Sequence, residues 1–170
     1  MRLLLMRHAK SGWGDPGLAD HARPLTKRGR KAAAAMGRYM AAHGLVPKQI
    51  LCSSAKRAKQ TLKGVTGELK APDDITITDD LYAFSGFQAP LNVIRRLAKN
   101  KSPLMVIAHN PSIEDLAFEL TGAGNNAARA LMAQKYPTAA LAVIDFDLHN
   151  WAELQTGIGT MINFIRPRDL

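Results

Sequence analysis

The stretch that decides the reading runs from residue 2 to residue 11: Arg2-Leu3-Leu4-Leu5-Met6-Arg7-His8-Ala9-Lys10-Ser11. Its apolar half has the length and bounds of a buried strand, and it delivers an Arg-His pair into a loop rich in Gly, Asp and Pro that runs to Leu25. A strand that ends this way outlines a phosphate site. A guanidinium grips a phosphoryl group through paired N–H bonds while the neighbouring imidazole attacks phosphorus. Taken alone the pair is a common dipeptide, and a plain loop accounts for it equally well. A second Arg and a second His, Arg57 and His109, each next to the end of another predicted strand, give it weight.

Outward from that strand the chain alternates between strand-like and helix-like segments. Thr26 is placed to cap a helix reaching about His43, with Gly44 as its stop. Lys48 to Cys52 reads as the second strand, and Ser53-Ser54 as the turn that starts a helix through about Leu69. Ile75 to Thr78 alternates like a strand, and a helix follows from about Pro90 to Asn100. Leu104-Met105-Val106-Ile107-Ala108 is an unbroken apolar run, as in strands covered on both faces. Next, Asn110 is read as a cap and Pro111 as the first helical residue of a helix to about Leu120. Thr121 to Asn126 reads as a loop, Ala127 to Gln134 as a short helix, and Leu141–Phe146 and Thr160–Ile165 as two late strands. The fold expected is a three-layer α/β/α sandwich with a mostly parallel central sheet, formed by residues 1–170 as a single domain.

Composition bounds the function. At 170 residues and 46% hydrophobic content the chain can bury one full core. No apolar run approaches the length of a membrane span, and the start carries no small-residue cleavage site, so the expectation is a cytoplasmic protein with no membrane partner. The lone Cys52, inside a predicted strand, forms no internal disulfide. A net charge of +9 invites a nucleic-acid reading, but the cations are spread over several predicted helices without interleaved aromatics or a recognisable reading motif. A basic surface that attracts anionic substrates or an acidic partner fits the pattern, and nucleic acid is set aside.

In open α/β sheets ligands bind beyond the carboxyl ends of the strands, where the loops after Met6, Cys52 and Ala108 converge. Arg7 and Arg57 are then placed to orient the phosphoryl oxygens, His109 to add a donor, and His8 to act as nucleophile. To attack, His8 must be neutral, and two nearby guanidinium groups lower its pKa by repulsion. The arginines supply the positive charge that a metal ion supplies elsewhere, so neither metal nor cofactor is expected.

Four blocks resemble the histidine phosphatase superfamily: residues 4–11 (Leu-Leu-Met-Arg-His-Ala-Lys-Ser), 23–29 (Arg-Pro-Leu-Thr-Lys-Arg-Gly), 53–61 (Ser-Ser-Ala-Lys-Arg-Ala-Lys-Gln-Thr) and 106–111 (Val-Ile-Ala-His-Asn-Pro). The Arg-His-Ala-Lys-Ser start, the His-Asn-Pro block and the short length are most similar to the bacterial phosphohistidine phosphatases of the SixA type. The resemblance implies a phosphoglycerate mutase-like fold, His8 as the phosphorylated residue, and Arg7, Arg57 and His109 as the phosphate pocket. It implies nothing for the last third of the chain.

The general acid is the gap in this pattern. Many relatives place an Asp directly after the second His, and here that position is Asn110. Asp79, Asp80, Glu114 and Asp115 remain candidates, with Asp80 and Glu114 the preferred two; each also has a structural reading, as loop residues or as first-turn carboxylates. A site without a dedicated acid matches a P–N bond better than an unactivated P–O bond. The substrate expected is phosphohistidine in a protein, such as a phosphotransfer domain in signal transduction. The alternatives are a small phosphorylated substrate, with Asp80 or Glu114 as acid, and a non-catalytic phosphate- or phosphoprotein-binding module.

Lys10 and Ser11 are candidate phosphate donors, with a loop role as the alternative. Ser53 and Ser54 are read as helix caps or phosphate ligands, Gln60 and Thr61 as buttresses of Arg57, and Arg23 as lining the entrance or bonding loop backbone. His21, His43 and His149 are read as surface residues, and Trp13 and Trp151 as core or loop packing.

Overall fold

The computed structural model describes residues 1–14, 17–70 and 72–170. The Asp15 and Pro16 part of the loop expected after His8 lies outside the described residues, as does Ala71.

Seven strands form one sheet in the order β3-β2-β4-β1-β6-β7-β5. They are β1 (Arg2–Arg7), β2 (Gln49–Ser53), β3 (Ile75–Thr78), β4 (Leu104–Ala108), β5 (Thr121–Gly124), β6 (Leu141–Asp145) and β7 (Gly159–Ile165). β1, β2, β3 and β4 pair in parallel, β6 runs antiparallel to both β1 and β7, and β5 pairs parallel with β7, so the sheet is mostly parallel. Five helices cover it: α1 (Lys27–Ala42), α2 (Lys56–Thr66), α3 (Gln88–Leu97), α4 (Ser112–Leu120) and α5 (Asn126–Gln134). Among the described residues no helix is long and apolar enough to cross a membrane.

Alternation along the strands builds two cores. Successive side chains of β1 point to opposite faces. Leu3 and Leu5 therefore join Val106, Ile144 and the apolar faces of α3, α4 and α5, where Leu91, Ile113, Leu116 and Met132 are buried. Leu4 and Met6 join Ile50, Ile107 and Val143 beneath α1 and α2, where Met36, Met40, Ala58 and Val65 are buried. Each fully buried Leu or Met contributes about 1.5–3 kcal/mol over its exposed state. Trp151 is part of the first core, with its indole N–H on the Lys101 carbonyl at 3.0 Å.

Thr26 caps α1 as expected, its hydroxyl accepting the Gly29 N–H at 3.0 Å. Gly29 is where α1 meets the loop after His8: a Cβ there would lie 2.1 Å from the Lys10 carbonyl oxygen. The helix thus holds that loop at backbone distance.

Several expectations change. Of the stretch Thr121 to Asn126 read as a loop, residues 121–124 form β5: Gly disfavours strands on propensity, and backbone pairing to β7 overrides it. Asn125 then caps α5, accepting the Ala128 N–H at 3.1 Å. Asn110 does not cap α4; Pro111 stands at that boundary without a side-chain bond. α2 ends at Thr66 rather than Leu69, and α3 covers residues 88–97 rather than 90–100.

Candidate active site

The parallel strands β2, β4 and β1 are neighbours, so their carboxyl ends lie side by side. Arg7 ends β1 and His8 follows it; Ser53 ends β2, with Arg57 in the first turn of α2; His109 follows β4. The His8 N–H bonds the Ala108 carbonyl at 3.0 Å, which extends the β1–β4 ladder one residue and brings the two imidazoles to 4.9 Å between ring centres. Arg57 directs Nε to His8 Nε2 at 3.3 Å. Arg7 places Nη1 on the Tyr136 carbonyl at 2.8 Å, while its Nε is buried with no protein partner.

A backbone carbonyl fixes the His8 tautomer. His8 Nδ1 donates to the Ala9 carbonyl at 2.7 Å, which leaves the Nε2 lone pair directed at the Arg57 guanidinium. Ser53 Oγ lies 2.7 Å from His109 Nε2 and 3.4 Å from the Ala55 N–H. A serine hydroxyl can donate to Nε2 while accepting from Ala55, and in that arrangement the His109 ring proton sits on Nδ1. His109 Nδ1 is buried and unpartnered, and as an N–H it is a donor directed at an anion.

Both rings are neutral at pH 7. Burial is the largest cause holding His8 down at about 4; the bond to Ala9 acts the other way, and repulsion from Arg57, Arg7 and Arg23 adds to burial. Repulsion, the cause expected from the sequence, is thus second to burial. Burial also leads for His109, with His8 and Arg57 adding, to about 2.

Sequence reasoning missed two residues that organise this site, Asp20 and Tyr82. Asp20 lies on a short 3-10 turn (Asp20–Ala22) and meets Arg57 twice: Nη1 on its carbonyl at 2.7 Å and Nη2 on Oδ2 at 2.9 Å. Its Oδ2 also takes the Tyr82 hydroxyl at 2.5 Å, and its Oδ1 is 3.0 Å from Arg23 Nε. Burial acts to raise this carboxyl, and the bonds from Tyr82 and Arg57 outweigh it, so Asp20 stays below the ordinary carboxylate range and remains charged. The one sequence signal was the three-residue spacing of Asp20 and Arg23. Tyr82 comes from a segment with no motif; its ring stands edge-on to His109 at 5.4 Å, and Phe84 packs 5.1 Å from the same ring.

Other candidates separate. Ser11 is buried and accepts from Arg23 Nη2 at 3.3 Å, so it braces the loop. Arg23 is itself buried, with Trp13 stacked on its guanidinium at 3.5 Å, instead of bonding backbone. Lys10 is exposed and lines a separate cavity with Arg28 and Arg166. Asp80 pairs with Arg96 on the surface and is not part of the cluster. Asp79 bonds Ser54, whose hydroxyl also meets His21 Nε2 at 2.8 Å; His21 therefore belongs to the rim rather than the open surface. Asp115 stands with Glu114 in the first turn of α4. Glu114 accepts from Asn110 Nδ2 at 2.5 Å, and Asn110 also reaches the Tyr136 carbonyl that holds Arg7. Thr61 bridges the site, donating to the Arg57 carbonyl at 2.7 Å and accepting the Ala9 N–H at 2.9 Å; Gln60 accepts from Leu25 N–H at 2.7 Å. Among the described residues no three His, Cys, Asp or Glu side chains gather as a metal-ligand set.

Residues 3–84 match the model of the histidine phosphatase superfamily, branch 1. An uncharacterised protein of Mycobacterium tuberculosis is 38% identical over 168 residues, covering 96% of this chain and 100% of that one. The structure of the putative phosphohistidine phosphatase SixA from Nakamurella multipartitia superposes with a TM-score of 0.83 at 26% identity, covering 98% of this chain and 95% of that one. The putative phosphohistidine phosphatase SixA from Agrobacterium tumefaciens gives 0.81 at 27%, covering 98% and 97%. The chain belongs to the histidine phosphatase superfamily, and within it to the SixA type. It is a phosphatase, and its substrate carries a phosphoryl group.

Proposed function

We propose that this phosphatase removes phosphate from phosphohistidine in a protein, through a phosphoryl group carried on His8. The observation that carries the reading is the buried, neutral His8, with Nδ1–H on the Ala9 carbonyl and Nε2 facing Arg57. The phosphoryl group enters between His8 Nε2, the guanidinium groups of Arg7 and Arg57, and His109 Nδ1–H. The cations and the donor neutralise charge on the equatorial oxygens, where a loose transition state concentrates it.

Attack forms a bond from His8 Nε2 to phosphorus and breaks the substrate P–N bond. A phosphohistidine protonated on its other ring nitrogen leaves as neutral imidazole and needs no acid. The same logic serves the second step: because Nδ1 keeps its proton against Ala9, His8 leaves as neutral imidazole when water attacks phosphorus, and the water proton passes to phosphate or solvent. Arg7 and Arg57 supply the charge stabilisation in this scheme, so a chelator is expected to leave kcat unchanged.

A protein substrate is supported by the mouth of the site. Trp13 is 76% and Phe84 45% exposed, aromatic surfaces of the kind found at protein interfaces. Glu114, reaching the Arg7 side through Asn110, favours the second reading, a small-molecule phosphomonoesterase. Substrate comparison separates them. Purified protein is expected to hydrolyse a phosphohistidine peptide much faster than a sugar phosphate, and the reverse order overturns the reading. In rapid-quench experiments an acid-labile, base-stable phosphoenzyme is expected on the wild type and none on His8→Ala. Turnover by His8→Ala excludes the covalent route.

A further inference from the structure

Beside the catalytic pocket lies a second cavity, of about 430 Å³, lined by Lys10, Arg28, Lys135, Arg166 and Arg168 among others, with no carboxylate among its described lining residues. It opens at the catalytic end of the sheet. Met6 faces Leu141 across β1 and β6, and Leu141 faces Ile165 across β6 and β7, so the chain leaves β7 into Arg166 two strands from where β1 delivers Arg7. Two interstrand steps are about 10 Å. The far wall is tied to the nucleophile: the Ala139 N–H, next to the lining residue Thr138, lies 3.0 Å from the Arg7 carbonyl and 3.2 Å from that of His8.

The charge of this cavity is largely uncompensated. Asp169 pairs with Arg166 at 2.6 Å and lies 3.8 Å from Arg168, while Lys10, Arg28 and Lys135 enter no ion pair among the described residues. Arg28 belongs to α1, whose first turn holds no acid and whose start reads Lys27-Arg28-Gly29-Arg30-Lys31. Cations at a helix N-terminus oppose the macrodipole and lower stability, so the arrangement runs against the fold's own interest.

We infer that this cavity docks an acidic segment of the phosphorylated protein, seating carboxylates beside the phosphohistidine held at His8. The inference rests on the phosphohistidine reading and adds the chemistry of the partner. Its cations sit mainly on long, exposed side chains, Lys10, Arg28, Lys135 and Arg168, rather than in a rigid buried cage. That suits carboxylates spread along a polypeptide, with the aromatic mouth of the site meeting the same partner.

The test uses the full chain and a triple variant, Arg28→Glu, Lys135→Glu and Arg168→Glu, which leaves the phosphate pocket untouched. The probes are two phosphohistidine peptides, one flanked by glutamates and one by glutamines, and the unphosphorylated glutamate peptide. Wild type is expected to show kcat/KM higher by roughly tenfold or more for the glutamate peptide at low salt. The variant should lose that preference while keeping its rate on the glutamine peptide. Equal rates in wild type, or an undiminished preference in the variant, overturn the docking site. Binding of the unphosphorylated glutamate peptide is read separately, without turnover: binding by wild type and its loss in the variant support the docking site even if neither phosphopeptide is hydrolysed, in which case the substrate reading alone fails. No binding to the peptide, or saturable binding only to a single-stranded RNA oligonucleotide of equal charge, overturns the docking site even if phosphohistidine is turned over.

Discussion

Burial, a backbone acceptor and three cations all act on the ring of His8, the proposed nucleophile. The unfolded chain protonates it near 6.5 and the native state only near 4. Between those values the unfolded state binds more protons, so the stability that neutral His8 contributes is whole above 6.5 and is lost as pH falls toward 4. Denaturant midpoints measured across that window should fall with pH, and less so in His8→Ala. The free-enzyme acid limb of kcat/KM should likewise stand near 4; a limb near 6.5 would contradict a buried nucleophile. Asp20 sets the pose of Arg57, itself only 2% exposed. Asp20→Asn keeps the shape but removes the charge between Arg57 and Arg23, and kcat/KM is expected to drop by roughly 10- to 100-fold, as for a catalytic group displaced by about an ångström. An unchanged kcat/KM would show that Arg57 is held without it.

At the scale of elements, the site is a junction between β1 and α2, and Thr61 makes the joint. Its hydroxyl serves the Ala9 N–H and the Arg57 carbonyl together, so the loop after His8 and the helix carrying Arg57 move as one piece. Thr61→Val preserves shape and leaves a buried N–H without a partner, a loss of about 1–3 kcal/mol in chemical denaturation with reduced kcat. Full activity in a destabilised variant would mean that the joint serves folding alone. β5 teaches the opposite lesson about locality. Thr-Gly-Ala-Gly carries no strand signal, and at Gly124, with φ +112, a Cβ would fall 2.2 Å from the Met161 carbonyl. Close backbone approach to β7 selects glycine there, and composition then reads as a loop.

For the whole molecule, the charge of +9 is the property most open to test. Spread cations steer anionic partners over roughly a Debye length of about 10 Å at 0.1 M salt. Raising ionic strength should lower kcat/KM for an acidic phosphoprotein through its association rate and leave kcat little changed. A flat salt profile would remove steering from the account. The sequence by itself determined the strand ends that matter, because a short apolar run with a polar exit is a local pattern. Arg7, His8 and His109 stand at or directly after such strand ends and Arg57 in the helix that follows one, and the alternation that yields a mostly parallel sheet was legible in the same way. Only the tertiary structure decided that Asp20 and Tyr82 stand on Arg57, that Asp80 turns away to Arg96, and that Lys10 belongs to a second cavity with Arg28 and Arg166. Those contacts join segments far apart in the chain, and side-chain direction across a packed sheet leaves no mark in local spacing.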